Sequence, residues 1–392
     1  MTDELRIPRD PADDFAPAIV AARLELAKRM AKAPLEHLAG SPVPATEASG
    51  KIENFTGWAQ VPLGMAGPML VETSRGERSV LVPMATTEGA LVASYSRGMR
   101  LARECGAIRS RVVHEGLTQN PVLCYEDAAA AARGLEITRT RFEELRTIVA
   151  STTQHGSLDS VDGTVVGRRL ILTLRFLTGD AIGINMAARA TDLCAEYLEC
   201  ETCAKQRYVH GQDVEKRANA RALIEGRGRS VVADVVIGRE ALERLTRARP
   251  EDLIEIWKTY AVGFAQLGTQ NWTVQGANGL AAVFLACGQD LAYVTESATG
   301  HLDFDLTGSG DLYASMTLPS LLVGTVGGGS GQGTARESLQ ILGCEGTGHA
   351  NEFAEILGAT ILAGDLSLMA SFCAHEFVAA HEKLGRNRPE TK

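Results

Sequence analysis

No stretch of this sequence reaches the roughly 18 uninterrupted apolar residues that a membrane-crossing helix needs, so a membrane span is not expected. Positive charge is in short supply: 39 Lys and Arg face 48 Asp and Glu, a net charge of −9. That balance argues against non-specific nucleic-acid binding and against a basic membrane-surface protein, and any anionic ligand requires locally placed Arg or Lys. The first residues, Met1-Thr-Asp-Glu-Leu-Arg-Ile-Pro, have no apolar centre of a secretory signal. The eight cysteines are therefore expected as reduced thiols of a cytoplasmic protein. They also lack the pattern of a metal site. Cys200 and Cys203 form one CxxC with Cys194 upstream, and no matching ligands follow, so helix packing is expected and no metal.

What is present is a chain of 392 residues, 45% hydrophobic and 22% charged, in the range of folded globular proteins. That length exceeds one ordinary core and implies two or three domains, or one large domain carrying an insertion. The 40 glycines cluster, which implies backbone positions with positive φ or close approach to a ligand. Residues 1–17 read as an extended arm. Ile19, Val20, Leu24 and Leu26 recur at helical spacing, predicting a helix over 18–30, followed by a polar loop at 39–50. A strand is predicted at 80–83 and a helix over 88–105.

After Gly116 the character changes. A short strand at 122–125, an Asp127-capped helix over 127–133, a helix over 136–150, a long strand over 165–176 and a helix from Met186 make a compact α+β block ending near Tyr208. Helices are predicted near 241–248, 251–268 and 279–287, and a long one over 351–384.

Four ionisable residues stand in unusual contexts. Glu88 is a lone acid at a strand-to-helix junction, where capping is the plain alternative. Lys216 lies in a polar segment and reads by itself as a solvated charge. Asp290 follows the C-terminus of an apolar helix, where an acid opposes the dipole and suggests a purpose beyond helix stability. His381 sits near the end of the last helix, a routine stabilising position for an imidazolium. Two glycine-rich loops accompany them. Asp180-Ala-Ile-Gly-Ile-Asn opens a helix, so its amides suit a phosphate, although it is no GxGxxG fingerprint. Gly324-Thr-Val-Gly-Gly-Gly-Ser-Gly lets backbone approach a ring or phosphate, unless it is simply a surface loop.

Taken in order, Glu53-Asn…Gly-Trp, Pro62-Leu-Gly-Met-Ala-Gly-Pro, Met84-Ala-Thr-Thr-Glu-Gly, Gly179-Asp-Ala-Ile-Gly-Ile-Asn, Ile224-Glu-Gly-Arg-Gly, Ala286-Cys-Gly-Gln-Asp, Gly324-Thr-Val-Gly-Gly-Gly and Ala363-Gly-Asp-Leu-Ser-Leu-Met-Ala resemble 3-hydroxy-3-methylglutaryl-coenzyme A (HMG-CoA) reductase over about residues 50–388. The Ala-Gly-Pro and Gly-Ile-Asn variants are similar to the class that includes the eukaryotic and archaeal enzymes.

The resemblance implies an α+β fold: a large domain formed by 51–120 and 209–392, preceded by a helical arm at 1–50 and interrupted at 121–208 by a small ferredoxin-like domain for the nicotinamide cofactor. It implies NADPH, with NADH as the alternative, an acyl-CoA substrate, and a homodimer or higher even oligomer whose active sites lie between subunits, the Glu53-Asn54 segment at the interface. Carried over residue by residue, it makes Glu88, Lys216, Asp290 and His381 the catalytic set. Lys216 would stabilise an oxyanion, His381 would protonate a thiolate, and Glu88 would give the second proton beside Asp290. Asp180, Ala181, Ile182, Gly183, Asn185, Val326, Gly327 and Gly328 would meet the cofactor. Asn278, Lys258, Gln119, His210, Glu215 and Arg217 would meet the substrate, Lys258 at its free carboxylate.

The chain departs from the family where Gln119 replaces the usual Arg, His210 a Ser, Glu215 an Asp, Arg217 a Lys and Gln275 a His. The Arg-to-Gln exchange removes a bidentate carboxylate fork. Three readings follow: a reductase of HMG-CoA, a paralogue acting on another acyl thioester, or a CoA-binding scaffold of the same fold.

Overall fold

The longest-reaching strand of the molecule belongs to two sheets at once. In the computed structural model, which describes residues 6–8, 17–36, 60–210, 212 and 215–374, the chain runs α1 (Pro17–Ala31), β1 (Leu63–Thr73), β2 (Gly76–Ala85), α2 (Leu91–Cys105), β3 (Ile108–Gln119), β4 (Val122–Cys124), α3 (Ala128–Thr140), α4 (Phe142–Thr152), β5 (Ser157–Val166), β6 (Arg169–Leu177), α5 (Ile184–Thr202), β7 (Gln206–Tyr208), α6 (Ala220–Glu225), β8 (Gly228–Ile237), α7 (Arg239–Thr246), α8 (Pro250–Leu267), α9 (Gly276–Ala286), α10 (Val294–Ser297), β9 (His301–Leu306), β10 (Leu312–Leu321), α11 (Gly333–Leu342) and α12 (Ala350–Cys373). Arg109 to Gly116 of β3 pair antiparallel with β8, while its last residues, Leu117 to Gln119, pair with Phe176 to Leu174 of β6. One strand thus ties the two parts together.

The first sheet has the order β2-β1-β3-β8-β10-β9. Its core is closed by α12, whose 24 residues are nearly all buried against α2, β3, β8 and β10. This is the one described helix long and apolar enough to cross a membrane, and its apolar character is explained by that central burial. Gly98 of α2 makes the contact possible: a Cβ there would fall 1.8 Å from the Ala363 carbonyl oxygen.

The second sheet has the order β7-β4-β6-β5, antiparallel throughout. In β6, Leu170, Leu172, Leu174 and Phe176 are fully buried while their neighbours face outward, the period of two that a half-covered sheet requires. Helices α3, α4 and α5 cover that face with Ala131, Leu145, Val149, Ala190 and Leu198.

Several expectations change. The strand predicted over 165–176 is a hairpin, because Gly167 takes φ 57° and turns the chain between Val166 and Arg169. The helix predicted from Glu88 starts at Leu91, which leaves Glu88 in the turn before it. Asp127 caps α3 as expected, its Oδ1 accepting the Ala130 N–H at 2.7 Å, but the helix continues to Thr140. Strands β3, β8, β9 and β10 have no counterpart in the sequence reading. Most of the N-terminal arm, the 39–50 loop, the Glu53-Asn54 segment, the last part of the predicted C-terminal helix and His381 lie outside the described residues.

Candidate active site

A cavity of about 840 Å³ opens between the two parts of the fold. One wall consists of both glycine loops. They reach each other because the Asp180 carbonyl accepts the N–H groups of Thr325 at 2.8 Å and Val326 at 3.3 Å. The Asp180 carboxylate accepts from Gly348 at 2.7 Å and Ala350 at 3.1 Å, at the N-terminus of α12, where an anion is favoured. Arg229, nearly buried, fastens the same corner through the carbonyls of Gly179 and Val323.

This geometry separates the glycines by role. A Cβ on Gly324 would lie 2.8 Å from the Ile182 nitrogen, so Gly324 is required by loop-to-loop packing. Gly327 and Gly328 hold φ of 77° and 54° with open space where a side chain would begin. They line the cavity with Val326, Ala181, Ile182, Gly183 and Asn185. Gly183 precedes α5 and Gln332 precedes α11, so the N-termini of both helices meet the cavity. Ser338 also lines it, with a buried hydroxyl that has no hydrogen-bond partner among the described residues.

The cavity lining also includes Lys216, Asp290, Glu215 and Tyr293. Lys216 has φ 61°, and its N–H donates to Glu296 Oε2 at 2.9 Å. Its ammonium lies 5.4 Å from the centroid of the Tyr293 ring, a cation–π position. Asp290 ends the turn after α9 and caps the next one, with Oδ1 accepting the Ala292 N–H at 3.0 Å. The acid that opposes one helix dipole therefore begins a new turn, a local purpose that sequence did not suggest. Burial, reinforced by the Glu215 carboxylate, holds the Tyr293 phenol well above its ordinary value.

The remaining sequence-derived residues fall into separate places. Glu88 and Asn278 meet each other, Asn278 Nδ2 donating to Glu88 Oε2 at 3.1 Å; both are exposed and neither is among the cavity-lining residues. Gln119, His210 and Glu215 share a small niche beside the cavity, with Gln119 Nε2 donating to Glu215 Oε1 at 3.0 Å. Arg217 is exposed and donates to the Glu215 carbonyl at 2.9 Å. Gln275 turns inward and gives its amide to the Gly364 carbonyl and Ser94. Lys258 sits on the exposed side of α8, 4.0 Å from Glu255, and borders none of these pockets.

Sequence reading missed Tyr293, Glu296 and Arg227. Arg227 lies inside the Glu-Gly-Arg-Gly motif and Glu296 is a lone acid in a short turn, but nothing local says that they meet. They do: Arg227 Nη1 donates to both Glu296 oxygens at 3.1 Å and Nη2 to Glu215 Oε1 at 3.0 Å.

A model of the family described as hydroxymethylglutaryl-coenzyme A reductase matches residues 19–386. The chain is 37% identical over 363 residues to the 3-hydroxy-3-methylglutaryl-coenzyme A reductase of Pyrococcus abyssi, covering 90% of this chain and 89% of that one. It is 38% identical over 390 residues to the protein of the same name from Haloferax volcanii, covering 98% and 96%. Its fold is similar to that of the class II 3-hydroxy-3-methylglutaryl-CoA reductase from Streptococcus pneumoniae, solved bound to NADPH in open conformations, with TM-score 0.74, 20% identity, and coverage of 90% and 96%. On the extent of the family match and of the identity to both archaeal proteins, the chain belongs to the hydroxymethylglutaryl-coenzyme A reductase family.

Proposed function

We propose that this protein reduces HMG-CoA to mevalonate and free CoA, consuming two NADPH and two protons. The observation that carries the reading, in a chain of this family, is a single cavity lined by Lys216, Asp290 and two interlocked glycine loops. The loop wall suits NADPH: Gly327 and Gly328 leave open space, two helix N-termini face the cavity, and the Ser338 hydroxyl has no other partner among the described residues. When bound, NADPH supplies the hydride for each reduction. Asn185 and the backbone of Ala181 to Gly183 and Val326 to Gly328 are the contacts proposed for it. Asp180 acts by bracing the two loops through its carbonyl, while its carboxylate ties them to the N-terminus of α12 through Gly348 and Ala350.

The protein's own groups divide the remaining work. Hydride addition to the thioester carbonyl develops negative charge on oxygen, which the Lys216 ammonium stabilises. Asp290, which lines the same cavity, is proposed to balance that ammonium. Collapse of the resulting hemithioacetal breaks the C–S bond, and His381 protonates the departing CoA thiolate. The aldehyde then takes the second hydride, and Glu88, oriented by the Asn278 amide, gives the proton that completes the primary alcohol.

The proposed division of labour places acyl-CoA on the large part formed by 51–120 and 209–392, and NADPH against 121–208, whose β4-α3-α4-β5-β6-α5-β7 order is that of a ferredoxin-like unit. The proposed assembly is a soluble, cytoplasmic homodimer. Lys258 supports it: on the exposed side of α8 it needs a second subunit to reach an HMG carboxylate held in a cavity. Gln119, His210 and Arg217 complete the substrate side.

The test is the stoichiometry of nicotinamide oxidised to thiol released from HMG-CoA, with NADPH and with NADH. Two nicotinamides per thiol supports the reading. A ratio of one, or turnover only with acyl-CoAs lacking the distal carboxylate, contradicts it.

A further inference from the structure

Lys216 occupies a left-handed backbone conformation, φ 61°, that side chains other than glycine seldom adopt. Glycine would relieve it but would remove the ammonium. Something must hold the turn, and the structure contains a built support. Glu296, wholly buried on α10, accepts the Lys216 N–H at 2.9 Å. Its two oxygens are fixed by Arg227 Nη1 at 3.1 Å each, and Arg227, itself only 2% exposed, is anchored in β3 by donating Nε to the Thr118 carbonyl at 3.2 Å. Arg227 Nη2 also holds Glu215, the residue before Lys216, whose Oε2 accepts the Tyr293 hydroxyl at 3.0 Å. The ring of that Tyr293 lies under the lysine ammonium. The backbone and the side chain of Lys216 are thus held by the two ends of one network.

We propose that Glu296 is a positioning residue, with Arg227 as its brace, that keeps Lys216 in the turn from which its ammonium enters the cavity. This rests on the reading of Lys216 as catalytic. Two carboxylates, Glu215 and Glu296, converge on the single buried guanidinium of Arg227. Gln119 adds a neutral donor to the same cluster, its amide donating to Glu215 Oε1 beside Arg227.

Removing Glu296 alone would leave the buried Arg227 guanidinium with only Glu215 as its carboxylate and could unfold the protein. A matched pair of double variants avoids that. Arg227→Met/Glu296→Gln discards the Arg227 ion pairs to Glu296 and Glu215 but keeps an oxygen to accept the Lys216 N–H. Arg227→Met/Glu296→Leu discards both. Steady-state kinetics with HMG-CoA and NADPH would be measured on both, with wild type and Lys216→Ala as references and thermal unfolding as the check on folding. The expected result is a kcat at least tenfold lower for the Leu variant than for the Gln variant, at similar melting temperature and with KM for NADPH changed less than threefold. Equal kcat in the two double variants, while wild type is active and Lys216→Ala is not, overturns the positioning role alone. Inactive wild type, or active Lys216→Ala, overturns the catalytic reading of Lys216 and the inference with it.

Discussion

Asp365, in the middle of α12, accepts the backbone N–H of Gln275 at 2.8 Å, and that of Val274 at the same distance, so one carboxyl buried in the central helix fixes where α9 begins. Three residues after Gln275, α9 presents Asn278 to Glu88. The core and the proposed proton donor are thereby connected.

Burial pushes the Asp365 carboxyl up to about 7, against the two N–H groups that pull it down. The folded protein therefore holds this proton more tightly than the unfolded chain does. The stabilisation from the bound proton is complete below the usual carboxylate range, near pH 4, and is lost as pH rises to about 7. Asp365→Asn cannot ionise. The stability of wild type relative to this variant is expected to fall between pH 4 and pH 7 by on the order of 1–4 kcal/mol, read by thermal or denaturant unfolding at several pH values. A difference independent of pH contradicts the assignment.

Gly324 and Gly331 make a contrast within one loop. A Cβ on Gly324 would press on the Ile182 nitrogen at 2.8 Å and the Asp180 oxygen at 2.9 Å, whereas nothing lies within 4 Å of one on Gly331. Gly324→Ala is expected to destabilise the protein by about 1–3 kcal/mol and to weaken NADPH binding, because the two loops must separate. Gly331→Ala should change stability by no more than about 0.5 kcal/mol. Melting temperature and NADPH titration check both.

Gly98→Ala probes the core in the same way. Its Cβ would sit 1.8 Å from the Ala363 carbonyl oxygen, and backbone cannot yield as a side-chain tip does. A loss of about 3 kcal/mol or more is expected in denaturant unfolding.

Much of this fold can be read from the chain because the signals are local. Asp127 announces α3 by its capping oxygen, and the alternation of Leu170, Leu172 and Leu174 announces β6. The hairpin at Gly167 is hidden because the alternation continues on both sides of the turn. Strand β3 is hidden because it serves two sheets and its burial pattern is irregular. At the site, the glycine loops carry recognisable residue patterns, whereas Lys216 by itself reads as a solvated charge and stands out only through the family resemblance. Arg227 sits in a recognisable motif, but its partnership with Glu296 and Tyr293 is hidden, since it arises only when α10, β3 and the Lys216 turn meet, with a sequence separation of 69 between Arg227 and Glu296.

The pair of Glu88 and Asn278 yields a graded expectation. Glu88→Gln removes the proton donor and should lower kcat by about 10²–10⁴. Asn278→Ala removes one hydrogen bond at an exposed position and should lower kcat by roughly tenfold or less, with NADPH binding unchanged. Steady-state kinetics on the two variants decides the order; an Asn278→Ala loss larger than that of Glu88→Gln contradicts it.

The most direct measurement is NADPH oxidation with HMG-CoA by Lys216→Ala, beside wild type, with circular dichroism and NADPH titration on the same samples. The expected result is a kcat lower by about 10²–10³ or more, the range for losing a group that stabilises an oxyanion, in a variant that is folded and binds NADPH as wild type does. Turnover within threefold of wild type would contradict the proposed reaction centre.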